Sequence, residues 1–151
     1  MHVTVYDSQQ ALDLDHTRIE RLVKTFLKWK KIFCQEVILH FVDKNSICTM
    51  HAKYFADPSP TDCMTFPIDP PDQKLCIVLG EIFVCPEVAV EKGKEIGEDP
   101  FDECALYIVH GLLHLLGFKD RTEDEQKQMR AEERLALDYL SKKDALLRDA
   151  R

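Results

Sequence analysis

The segment His110 to Asp120 reads HGLLHLLGFKD and contains the residue types from which a metal site is built. Four residues along a helix turn the chain through about 400°, so His110 and His114 leave the same face one turn apart. Two imidazoles at that spacing can share one ion. Gly117 can take the left-handed conformation that ends a helix and turns the chain back. Asp120, three residues on, can then reach the same point from the side. Two imidazole nitrogens and a carboxylate oxygen suit zinc, and three protein ligands leave a fourth position for water, the arrangement of a catalytic site.

A lone histidine in an apolar helix is usually a core residue bonded to a neighbour. Two at i, i+4, each needing a polar partner once buried and followed by Gly and a carboxylate, favour the metal reading. The residue after the first His narrows the chemistry. Zinc peptidases carry H-E-x-x-H, whose Glu takes a proton from the metal-bound water. Here that position is Gly111, so a metallopeptidase-like hydrolase lacks its base.

The elements that must position these residues are punctuated in the sequence. Asp99 suits an N-cap, Pro100 the first helical position, and Asp102 and Glu103 the positive end of the dipole; this predicts a third helix through Leu116, with Gly117 just past its end. Thr122 and Glu125 form a capping box for a last helix running through Met129, Leu135 and Tyr139. Upstream, Val3 to Tyr6 reads as a short strand. Ile19, Leu22, Val23, Phe26 and Leu27 mark an amphipathic helix from about Asp15 to Lys31. Glu36 to Val42 suits a central strand. Ser46 can cap a second helix with Ile47, Met50 and Tyr54 inward, and Asp57-Pro58-Ser59-Pro60 breaks the chain. Cys63–Phe66 and Leu75–Val84 follow as strands, Gly80 marking a bulge or a change between two short ones.

Helices mixed with about four strands, without regular βαβ alternation, give an α+β fold: one domain over residues 1–151, a small mixed sheet packed by helices. A chain of 151 residues, 45% hydrophobic and 31% charged, is consistent with one soluble globular domain. No apolar stretch approaches the roughly 20 residues of a membrane span. The N-terminal residues lack the layout of a secretory signal, so a cytoplasmic protein is expected. The six cysteines include no CxxC pair and sit mostly in apolar segments, as reduced core thiols do. A net charge of −7 weighs against nucleic-acid binding, although local distribution decides more than the sum. Arg18, Arg21, Lys24, Lys28, Lys30 and Lys31, against Glu20 alone, form either a solvated helix face or a track for phosphates.

HGLLHLLGFKD resembles the signature H-G-x-L-H-L-x-G-Y-D-H of the YbeY family of bacterial rRNA maturation factors. Pro60 to Pro67, PTDCMTFP, is similar to that family's P-T-D-V-L-S-F-P, and Leu79 to Ile82 to its L-G-D-I. Motif order and spacing agree along the whole chain. The resemblance implies a metzincin-like metal-binding helix, one zinc ion and no organic cofactor. It also implies a single-strand-specific endoribonuclease that matures the 3′ end of small-subunit 16S rRNA and serves ribosome quality control. Its partners would be ribosomal RNA and ribosome-associated proteins, away from membranes. The implied metal ligands are His110, His114 and Asp120, with Thr61, Asp62 and Lys119 lining the site.

Two departures stand out. Asp120 occupies the position of the family's third His; an anionic ligand donates charge and makes metal-bound water less acidic. Phe55 stands where the family has a functional Arg, and His51 where it has an Asn. An Arg there could hold a phosphate or stabilise transition-state charge. Phe55 could stack on a base instead, and Lys53 is a nearby cation. This departure keeps open a non-catalytic or weakly catalytic ribosome-assembly factor whose zinc is structural.

Overall fold

The computed structural model of the chain describes residues 1–72 and 75–151. Its elements run β1 (His2–Asp7), α1 (His16–Trp29), β2 (Glu36–Phe41), α2 (Lys44–Phe55), β3 (Cys63–Pro67), β4 (Val78–Val84), α3 (Pro86–Ile96), α4 (Pro100–Leu115) and α5 (Glu123–Lys142). The strands form one mixed sheet in the order β1-β2-β4-β3; β1, β2 and β4 are parallel and β3 runs antiparallel to β4. This is the α+β architecture expected from the pattern.

Alternation along the strands divides the interior in two. Val37, Leu39 and Phe41 of β2, with Ile82 and Val84 of β4, face the main core, which includes the inner faces of α1, α4 and α5. The α4 helix lies on β3 and β4 and packs against α3 and α5. A smaller cluster lies on the reverse face, where Ile47 of α2 meets Met64 of β3 and Cys85, with Phe66 and Phe83 packed around them.

The helix starts follow the capping chemistry. Asp15 accepts the amides of Thr17 and Arg18 at the head of α1, and Asp99 that of Phe101 at the head of α4. Both halves of the Thr122–Glu125 capping box close on α5. At α2 the expected cap is displaced. Asp43, not Ser46, is the N-cap, and the Ser46 amide donates to Asp43 Oδ1 at 2.7 Å. Met50 packs against the smaller cluster, but Tyr54 is 54% exposed and sets its ring edge-on to Phe66 instead of pointing inward.

The last strand begins at Val78 instead of Leu75. Asp69 Oδ2 accepts the amides of Ile77 and Val78, and Leu75 stands 75% exposed. The bulge expected at Gly80 is present: two steps on β2, from Glu36 to Ile38, face three on β4, from Val78 to Glu81. A Cβ on Gly80 would lie 2.6 Å from Leu115 Cδ2 and 2.7 Å from the Phe66 carbonyl oxygen, so glycine lets α4 settle onto the sheet. The helix α3 is absent from the sequence reading. Pro86 opens it, but Cys85 supplies no side-chain cap and Gly93 interrupts its interior, which mutes the usual signals.

All six cysteines are free thiols. The basic stretch of α1 fastens other segments of the chain. Arg18 and Arg21 donate to the carbonyls of Leu146, Asp144 and Lys143, and Lys30 pairs with Glu132 at 2.7 Å. Among the described residues no helix is long and apolar enough to cross a membrane.

Candidate metal centre

The end of α4 builds the site. Leu116 caps the helix and Gly117 follows at φ 100°. The Gly117 amide donates to the His114 carbonyl at 3.0 Å and the Phe118 amide to the Leu113 carbonyl at 3.1 Å, the paired bonds of a Schellman motif. That turn brings the Phe118 carbonyl to 2.9 Å from His114 Nδ1. A carbonyl can only accept, so in the neutral ring Nδ1 carries the hydrogen and Nε2 keeps its lone pair. His110 is fixed the same way from another element. Its Nδ1 lies 3.1 Å from Glu133 Oε2 on α5, and Arg130 steadies the other carboxylate oxygen at 2.8 Å. Glu133 is 3% exposed, the one buried charged or polar residue among those described.

With both Nδ1 atoms occupied, the two Nε2 atoms face each other at 3.0 Å, the rings nearly perpendicular at 86°. Asp120 Oδ2 completes a triangle, 3.4 Å from His110 Nε2 and 3.3 Å from His114 Nε2. Three acceptor atoms at this separation repel one another unless a proton or a cation lies among them. Around a tetrahedral zinc ion with bonds of about 2.0–2.1 Å, neighbouring ligand atoms stand about 3.3 Å apart. The triangle has that size, and the donor set is one zinc accepts. His110, His114 and Asp120 are thus brought together as a group that could hold a metal ion.

Gly111 faces away from this point. A Cβ there would meet Ile82 Cγ2 at 2.7 Å and Cys63 Sγ at 3.0 Å, so the position is pressed against the sheet. The glutamate of a peptidase is absent, and no room exists for it.

A cleft of about 560 Å³ opens in front of the triangle. Thr61, Asp62 and Lys119 line it, and so do His51 and Phe55 of α2. Lys53 is not among the lining residues; its ammonium lies 5.3 Å from the Tyr54 ring centroid. The Asp62 carbonyl accepts the Cys85 amide at 3.1 Å, which ties the motif loop to the end of β4. Cys63 also borders the cleft, but burial first, then Asp62, Cys104 and Asp120, hold its thiol well above the usual range.

Sequence reasoning missed Glu133, Arg130 and Arg121. Glu133 left a signal: with Met129, Ala136 and Leu140 it forms the buried stripe of α5, in which it is the only charge. Arg121, beside Asp120 on the cleft wall, left none.

The family model for Endoribonuclease YbeY matches residues 4–141. The chain belongs to the YbeY endoribonuclease family. Curated relatives called Endoribonuclease YbeY are 37% identical in Protochlamydia amoebophila over 140 residues, 93% of each chain. The Chlamydia trachomatis serovar D relative is 37% identical over 150 residues, 98% of this chain and 93% of its own. The solution structure of TM1509 from Thermotoga maritima superposes with a TM-score of 0.65 at 22% identity, covering 92% of this chain and 89% of that one. That likeness concerns the fold. The YbeY resemblance of the three sequence motifs therefore extends to nearly the full length, and two of them, Pro60–Pro67 and His110–Asp120, line one cleft.

Proposed function

We propose that the chain is a zinc-dependent, single-strand-specific endoribonuclease. Its place would be in ribosomal RNA processing at the 3′ end of 16S rRNA and in ribosome quality control, among ribosome-associated proteins in the cytoplasm. The observation that carries the catalytic part is the triangle of His110 Nε2, His114 Nε2 and Asp120 Oδ2, three ligand atoms standing 3.0–3.4 Å apart. The relatives called Endoribonuclease YbeY supply the substrate class.

Bound there, zinc supplies a Lewis acid for a phosphate oxygen and lowers the pKa of its water. The protein's own groups do the rest. Glu133 and the Phe118 carbonyl hold the two imidazoles in the tautomer that presents Nε2, as outer carboxylates and carbonyls commonly do for ligating histidines. Asp120 would hold the ion through its carboxylate and, as an anionic ligand, would temper the acidity that the ion supplies. Asp62 is the other carboxylate lining the cleft, and its presence there supports giving it the role of taking a proton from the attacking oxygen.

The second reading, an assembly factor with structural zinc, is favoured by Phe55 at the position of the family's Arg. Purified protein incubated with matched single- and double-stranded RNA, with and without chelator, separates the two. Cleavage of the single strand that disappears with chelator and in His114→Ala supports the enzyme. Co-sedimentation with ribosomes and no cleavage supports the factor, and cleavage surviving in purified His114→Ala contradicts the metal mechanism.

A further inference from the structure

The cleft has two unlike walls. On one, α2 and the turn after it present aromatic surface: Phe55 is 57% exposed, and its ring lies 5.6 Å from that of His51. The shelf is held from behind. His51 Nδ1 bonds the Ser59 carbonyl at 2.8 Å, and Asp57 Oδ1 accepts the Ser59 amide at 2.9 Å, which fixes the Asp57-Pro58-Ser59-Pro60 turn against the end of the helix. On the other wall, Lys119 and Arg121 flank Asp120, both exposed and neither in an ion pair among the described residues. Asp120 turns inward to the imidazoles while its two neighbours keep their charge in the cleft. A nucleic-acid strand without a complement presents these two chemistries together, a phosphate backbone and unstacked bases.

We propose that Lys119 and Arg121 form a phosphate clamp for a single RNA strand and that Phe55 is the shelf on which a flanking base stacks. This rests on RNA being the substrate of the cleft, but not on the chain cutting it. Asp62 and Asp120 are the carboxylates on the same lining.

The test reads binding of a labelled single-stranded RNA 12-mer to the zinc-loaded protein, by anisotropy in the cold, over a series of salt concentrations. Each phosphate contact on a single strand contributes about 0.7 to the slope of log affinity against log salt. The paired variant Lys119→Ala with Arg121→Ala should lose affinity and about 1.4 from that slope. Phe55→Leu should weaken binding about 5- to 150-fold with the slope unchanged, the range for loss of one stacked base. That loss should vanish on a strand of abasic sites. Phe55→Arg, made in the paired variant, should return about 0.7 to the slope. Zinc content, measured by elemental analysis, should be the same in all of them.

Unchanged affinity and slope in the paired variant overturns the clamp, as does an unmutated protein that binds no single strand. An equal loss for Phe55→Leu on intact and abasic strands overturns the shelf. The clamp is decided from binding alone. A protein that binds with the expected slopes but never cuts the strand refutes the nuclease reading and leaves the clamp standing.

Discussion

The two sides of the cleft are built from different amounts of protein. On the α4 side, nine of sixteen helix residues are buried, and the ligand-bearing end is tied to α5 through Glu133 and to its own turn through Phe118. On the α2 side, one of twelve is buried, Ile47, and the helix rests on the small cluster with Met64 and Cys85. Groups that must hold an ion to within tenths of an ångström belong on the first kind of support. Groups that accommodate a flexible strand can sit on the second. Changes near α4 should therefore act on the whole domain or on the metal, and changes on α2 on what the cleft grips.

The sharpest contrast is between two equivalent truncations. Leu112→Ala, in the fully buried stripe of α4, should cost about 3–5 kcal/mol in denaturant unfolding, the upper part of the range for such cavities. Ile47→Ala should cost about 2 kcal/mol, since the thin cluster around it can collapse into the space. A larger loss at Ile47 would break the comparison. Next in size is Gly111→Ala. Its new methyl meets Ile82 Cγ2 at 2.7 Å, and overpacking of this kind costs about 1–3 kcal/mol. Zinc bound per folded molecule should stay the same, because the clash is with the sheet and not with the ligands.

Glu133→Gln keeps the shape but exchanges a carboxylate for an amide that can turn either way. Zinc affinity should fall about 10- to 100-fold in competition with a chromophoric chelator, while the metal-free domain keeps its fold by circular dichroism. An unaltered affinity would remove Glu133 from the account. The smallest effect is expected at Tyr54→Ala. This residue is 54% exposed, and stability should stay within about 0.5 kcal/mol of the parent.

The same contrast explains what could be read from the sequence. The α4 side announces itself through local chemistry: Asp99 and Pro100 at the start, Gly117 at the end, and His110 and His114 one turn apart between them. Each of these signals lies within a few residues of its effect. The α2 side depends on contacts distant in sequence. Ser46 resembles a cap, yet Asp43 takes the role because its β-region backbone precedes the helix directly. Tyr54 has the spacing of an inner residue but lies beyond the edge of the small cluster. At the site itself, Glu133 comes from another helix, 23 residues past His110, and only its lone charge within the apolar stripe of α5 marks it. Arg121 gains meaning only from the cleft that the folded chain forms around it.

The central claim is that two imidazole nitrogens and one carboxylate oxygen hold a single zinc ion. X-ray absorption at the zinc edge on the purified protein tests it most directly. The account predicts one zinc per chain with only nitrogen and oxygen neighbours at about 2.0–2.2 Å, two of them imidazoles, one of which disappears in His114→Ala. A zinc–sulfur shell at about 2.3 Å would place the ion on Cys63 instead, and that, or a protein that binds no zinc, would contradict the account.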